Sequence, residues 1–197
     1  MKKTVYILIF LTFFSCFKGE QKVLFYPSFL ENSEKTFETI NLEKTTLNFK
    51  EIVNKIDQTS NGTLIEFNDG KNIIKIKTFI HKGGLIKRKN VLQISTDSVL
   101  IDKGHLLSDL NSLMKRHFLN NGKIEYYSDS PKKAIFEISI NPKKNANELK
   151  ETLKKLTIEF EKLKKEINER IELTVFFSYF RFEKINIPPP PLKLELE

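Results

Sequence analysis

The sequence predicts an α+β fold, a small helix-hairpin subregion followed by a β-β-α-β-α-β domain whose long C-terminal helix packs on a sheet. Three observations predict it. Short runs rich in β-branched and aromatic residues recur between turn residues, as at 63–68 and 91–96. Three other segments place apolar residues at three- and four-residue spacing, the period of a helix face. From residue 91 onward the two patterns alternate, which is how helices come to lie on a sheet.

Taken in order, residues 16–40 scatter Phe17, Phe25, Tyr26, Phe29 and Phe37 among polar residues without a sustained period, and are expected to be a tether with one short strand at 22–26. The helix-hairpin subregion spans 41–84. Leu47, Phe49, Ile52, Val53 and Ile56 share one helical face, and Ser60-Asn61-Gly62 breaks it. Strands at 63–68 and 71–80 flank Asp69-Gly70, a pair that accepts the positive φ of a tight hairpin. Gly83-Gly84 ends the subregion.

The second domain spans 85–182. Two short apolar runs, 91–96 and 98–102, meet at Asp97 as a hairpin. Leu106, Leu107, Leu110, Leu113, Met114 and Phe118 then form a helical face that Asn120-Asn121-Gly122 stops. A strand follows at 132–140. Asn145 stands three residues before Glu148, an N-terminal capping signal. Leu149, Leu153, Leu156, Phe160, Leu163, Ile167 and Ile171 make one stripe, so a helix over 146–170 would be about 37 Å long. About three heptads are marginal for a free coiled coil, and the β-forming segment 173–182 follows directly, so packing on a sheet is expected.

Residues 1–15 read as an export signal. Lys2 and Lys3 precede an apolar run from Val5 to Phe14, which is shorter than the roughly 20 residues of a membrane-spanning helix. Ser15 then precedes Cys16, the one cysteine of the chain. With no disulfide partner, Cys16 is expected to carry lipid and to anchor the chain to a bacterial envelope membrane, facing the periplasm or the cell surface. The segment resembles a bacterial lipoprotein signal.

The formal net charge is +8, which suits anionic lipid or glycan. Nucleic acid is not expected as a partner, because export removes the chain from it and no arginine-aromatic patch occurs. Lys71, Lys75, Lys77, Lys82, Lys87, Arg88 and Lys89 form an acid-free basic stretch. Either it is a solvated strand face with edge-guarding lysines or it binds anionic headgroups or cell-wall polymer. His81, His105 and His117 lack metal-ligand spacing, so no metal or other cofactor is expected. Ser108-Asp109 lacks a glycine-flanked elbow, and no phosphate loop occurs, so no catalytic residue is assigned. The tail, 183–197, carries Pro188 to Pro191 and then alternating Leu192, Leu194 and Leu196. It is either a spacer whose last strand covers its own sheet edge or a strand added to a partner.

The segments KRKNVLQIS, LLSDLNSLMKRHFLNNG, SDSPKKAIFEISI and ELKETLKKLTIEFEKLKKEI, with their order of elements, are similar to the periplasmic domain of the ExbD/TolR family over about residues 87–180. The resemblance implies a part in energy-transducing TonB or Tol transport and a homodimer or a TonB- or TolA-like partner. Two departures qualify it: residues 4–14 hold no carboxylate for proton flow, and residues 16–84 replace a short linker. The expectation is therefore a membrane-anchored, non-enzymatic envelope protein, accessory to such transport. A surface lipoprotein for cell wall or host ligand, or a small envelope hydrolase, is the alternative.

Overall fold

The computed structural model describes residues 21–60, 62–78, 86–101 and 104–179. The export signal, Cys16, Lys82 and the 183–197 tail lie outside the described residues. The described residues form nine strands: β1 Val23–Tyr26, β2 Glu38–Asn41, β3 Thr63–Asn68, β4 Ile73–Thr78, β5 Val91–Ile94, β6 Ser98–Leu100, β7 His105–Leu106, β8 Ile135–Ile138 and β9 Val175–Phe177. Three α-helices accompany them among the described residues: α1 Phe49–Gln58, α2 Leu110–Leu119 and α3 Ala146–Glu166. The α+β class expected from the sequence is what forms.

One mixed sheet runs β2-β3-β4-β9-β8-β5-β6-β7. On the edge of β4 away from β3, β1 pairs with Ile73 to Ile76 and β9 with Thr78, so β1 and β9 lie end to end. Strands β2 and β3 are parallel, as are β4, β9, β8 and β5, while β3 and β4 run in opposite directions. The crossover from β2 to β3 therefore differs in both strand direction and lateral step from those between β5 and β8 and between β8 and β9. Right-handed connections then place α1, α2 and α3 on one face of the sheet.

Burial agrees with that geometry. Ile74 and Ile76 of β4, Leu92 and Ile94 of β5, Phe136 and Ile138 of β8, and Val175 of β9 are all within 1% of full burial. Their period-two partners Lys75, Lys77, Ile135, Glu137 and Phe176 are only half-buried. A single apolar cluster joins Phe49 and Ile52 of α1, Phe118 of α2 and Leu156 and Phe160 of α3 to these strands. Ring pairs link the layers, Phe49 with Phe177 at 5.8 Å and Phe118 with Phe160 at 6.0 Å.

Local chemistry sets the helix starts. Asn48 accepts the N–H of Glu51 at 3.0 Å while Glu51 accepts the N–H of Asn48 at 2.8 Å, a reciprocal cap for α1. The Asn145 side chain caps α3 through the N–H of Glu148 at 3.2 Å. In α3, Leu149, Leu153, Leu156, Phe160 and Leu163 are at most 1% exposed, and Thr152 and Thr157 are buried beside them. That face is wider than a coiled-coil seam and lies on the sheet.

Several boundaries differ from expectation. Helix α3 ends at Glu166 instead of residue 170, because Ile167 turns extended at φ −97° and ψ 128°. Ile171 is still buried, but in the return to β9 rather than on the helix. The region expected to be a tether with one strand at 22–26 supplies that strand as β1 and also a second, unexpected one, β2. β2 carries one core residue, Ile40, and its order comes from parallel pairing with β3. β7 was not expected either. It spans two residues and is set by the turn at Gly104, φ +84°, which folds it back on β6.

Candidate functional site

The basic stretch is divided by the fold. On β4, Lys75 pairs with Glu66 of β3 at 3.1 Å and lies 5.8 Å from the centre of the Phe25 ring, while Lys77 stands 4.5 Å over Phe37. Burial works to raise the Glu66 carboxyl, yet hydrogen bonds from Asn41 and Lys75 bring it below the usual range. Lys71 is exposed in the β3–β4 turn. Lys87 and Lys89 approach Asp129, Lys87 at 3.7 Å and Lys89 in closer contact, and the Lys89 bond foremost holds that carboxyl low. Strands β9 and β8 lie between β4 and β5, a separation of about 14 Å at the usual strand spacing. Of the seven residues singled out, the described six therefore make two groups rather than one anionic-surface patch.

Arg88 is the exception in these groups. It is exposed at the start of β5 and has no ion pair among the described residues.

Beside it, on the face of the sheet away from the helices, lies a cleft of ≈ 610 Å³ over β5, β6 and β8. Strand register builds its floor. Gln93 of β5 stands opposite Leu100 of β6 on one side and Glu137 of β8 on the other, and Glu137 stands opposite Phe176 of β9. These four side chains form one row on the sheet face away from the helices. Gln93 is 2% exposed, its Nε2 donates to the Glu137 carboxylate at 3.2 Å, and its Oε1 accepts no hydrogen bond. Arg88 and the exposed pair Glu125 and Tyr126 complete the rim.

That rim is held by a buried polar knot. His117 of α2 is fully buried; its Nδ1 accepts the N–H of Ser128 at 3.3 Å, which leaves Nε2–H to donate to the Asn90 carbonyl at 3.1 Å. Burial pushes the imidazole down to about 4 against the opposing pull of the Asn90 carbonyl. Asn90 Oδ1 accepts from Ser128 Oγ at 3.2 Å and from the N–H of Asp129 at 2.9 Å. Asn120 donates to the carbonyls of Tyr127 and Ser128, each at 3.0 Å, and accepts the N–H of Ile124 at 2.8 Å. Together these bonds fix residues 120–130, and with them Glu125 and Tyr126, beside the start of β5.

Gln93, Glu137 and Tyr126 were not among the residues expected to form a site. A signal was present for the first two: VLQI and IFEI each carry one polar residue in phase on adjacent parallel strands, the mark of a face that the helices leave uncovered. Tyr126 carries no periodic signal, because tertiary bonds place its loop. His105 is half-buried in β7, and His81 lies outside the described residues.

Compared with known protein families, with curated proteins and with solved structures, the chain finds no match in any of the three. Among the described residues, no group of three or more His, Cys, Asp or Glu could hold a metal ion, and no helix is long and apolar enough to cross a membrane.

Proposed function

We propose that this chain is a membrane-anchored, non-enzymatic binding protein of the bacterial cell envelope, held by lipid on Cys16 and presenting its sheet face to a ligand or partner. One observation carries the binding role: the helices cover a single side of the sheet, and the other side holds a cleft with a charged rim and a polar floor. Open sheet faces are ordinary recognition surfaces, and a cleft of this volume falls in the range of small-ligand sites. The order of Lys2, Lys3, the apolar run and Ser15-Cys16 supports the anchor.

A finer reading makes the protein accessory to TonB- or Tol-type transport, as a homodimer or with a TonB- or TolA-like partner. The succession of elements from β5 to β9 supports it, and among the described residues the ladder ends at β2 and β7, edges of the kind used in strand addition. The cleft favours the other reading, a surface lipoprotein that takes a cell-wall or host ligand.

Labelled palmitate tests the anchor. Wild-type protein should incorporate label and enter the detergent phase, and Cys16→Ser should lose both while its circular dichroism is unchanged. A Cys16→Ser chain that still incorporates label and fractionates as wild type rules out lipidation there. Cross-linking in membranes separates the partner readings: adducts with a proton-driven motor complex support the accessory role, and their absence beside retained ligand binding supports the surface role.

A further inference from the structure

We propose that the end of the sheet where β1, β5 and β8 begin rests on anionic phospholipid headgroups, so that the chain meets the membrane that anchors it through a basic surface centred on Asp129. This deepens the anchoring proposed above and rests on it.

Strand direction gathers the charges. β1, β4, β9, β8 and β5 are parallel to one another, so their first residues face one end of the sheet. Val91 and Ile135 are the first paired residues of β5 and β8. Each strand is entered from a short 3₁₀ turn, Arg88–Asn90 and Pro131–Lys133, and both turns are basic. The pairing therefore sets Lys87, Arg88 and Lys89 beside Lys132 and Lys133. The ammonium groups of Lys87 at 3.7 Å, Lys133 at 3.9 Å and Lys89 in closer contact all meet the single Asp129 carboxylate. One carboxylate does not neutralise three cations, and Arg88 and Lys132, both exposed, have no ion pair among the described residues. These five cations keep a positive excess of four over Asp129, and Lys123 and Glu125 in the adjoining loop offset each other.

The anchor leads to the same end. β1 starts at Val23, seven residues after Cys16, a stretch that spans at most about 25 Å. By register, Val23 stands level with Ile73 of β4 and Ile135 level with Lys77, four residues or about 13 Å further along. β1 and β9 lie on the same edge of β4, so β8 and β5 are one and two strand spacings from that line, about 5 and 10 Å. Lipid on Cys16 thus holds the bilayer within reach of the basic turns. Arg170 and Glu172, which precede β9, pair with each other at 3.5 Å.

Apolar side chains stand beside the charges. Ile124 and Tyr126 are 45% and 50% exposed in the loop that the His117 and Asn90 bonds hold next to β5. Cations flanked by an aromatic ring and an aliphatic chain fit a headgroup layer, where the charges meet phosphate and the apolar groups enter the acyl boundary. A dissolved polyanion gives the apolar pair no such partner.

The chain has no tryptophan, so Tyr126→Trp supplies a single reporter indole. The full chain carrying it, purified in detergent, is reconstituted with vesicles of phosphatidylcholine alone or mixed with phosphatidylglycerol, and quenching of the indole by aqueous acrylamide is read. The expected result is quenching about threefold weaker on the anionic vesicles, restored in 1 M salt, where the screening length is about 3 Å. Arg88→Gln with Lys132→Gln leaves the Asp129 contacts in place and should remove most of that protection. Lys143→Gln with Lys144→Gln, the same charge change beyond the other end of β8, should keep it. Equal quenching on neutral and anionic vesicles overturns the proposal, and so does protection by soluble polyphosphate equal to that by anionic vesicles. Protein that takes labelled palmitate yet shows no protection on anionic vesicles overturns the membrane surface alone. An indole protected by anionic vesicles in protein that takes no label overturns the anchor alone.

Discussion

His117 shows how much a single residue can tie the fold to pH. Its Nδ1 is occupied by the N–H of Ser128, so a proton can bind there only after that contact breaks. Protonation thus favours the unfolded chain. With a folded value of about 4 against an unfolded 6.5, stability is fully present above pH 6.5 and is lost as pH falls toward 4. The loss from pH 7 to pH 5 should be about 2 kcal/mol, and urea unfolding at the two values measures it. Glu66, Asp129 and Glu172 are held below their usual range, and their stabilisation also falls with acid, but mainly below the unfolded value of 4.5 or 3.8. The pH 7 to 5 interval therefore reports chiefly on His117, and His117→Gln should flatten it. Tyr26 is the opposite kind of buried group: burial, then the Glu161 carboxylate at 2.9 Å, raises its phenol, so it stays neutral and donates.

At the scale of the element, α3 contributes the largest single apolar face. Leu156 is fully buried, and Leu156→Ala should lower stability by about 2 to 5 kcal/mol, checked by the denaturation midpoint. Leu156→Asp or Phe160→Asp should abolish cooperative unfolding, because each places a carboxylate in the buried apolar core. The caps act on a smaller scale. Asn48→Ala removes one half of the α1 capping box and should cost about 1 kcal/mol, with helix content read by circular dichroism nearly unchanged at low temperature. The Asn145 cap and the α3 stripe are legible in the sequence, since each depends on residues within a few positions of one another. The α1 start, expected near residue 47, falls at Phe49 because Asn48 and Glu51 bond reciprocally. β2 and β7 are not legible: Glu38–Asn41 has a single core residue and β7 has two residues in all, so neighbours rather than pattern make them strands.

Across the whole molecule, the three α-helices lie on one sheet face, and the same layering decides what the basic residues do. Lys75 and Lys77 look like a positive strand face in the sequence, but Glu66, Phe25 and Phe37 stand beside them once β1 and β3 flank β4. Lys77→Ala should therefore change affinity for anionic vesicles by less than twofold, measured by vesicle sedimentation, since exposed ion contacts on this scale are weak. The sequence by itself determined the kinds of elements, the α3 cap and core stripe and the Asp69-Gly70 turn, all governed by contacts within a few residues. Only the tertiary structure decided the strand order, the separation of Lys71, Lys75 and Lys77 from Lys87, Arg88 and Lys89, and the row Leu100, Gln93, Glu137, Phe176. Parallel pairing joins strands separated by an intervening helix, and the register between them, which sets which polar side chains become neighbours, is written in no local stretch of the chain.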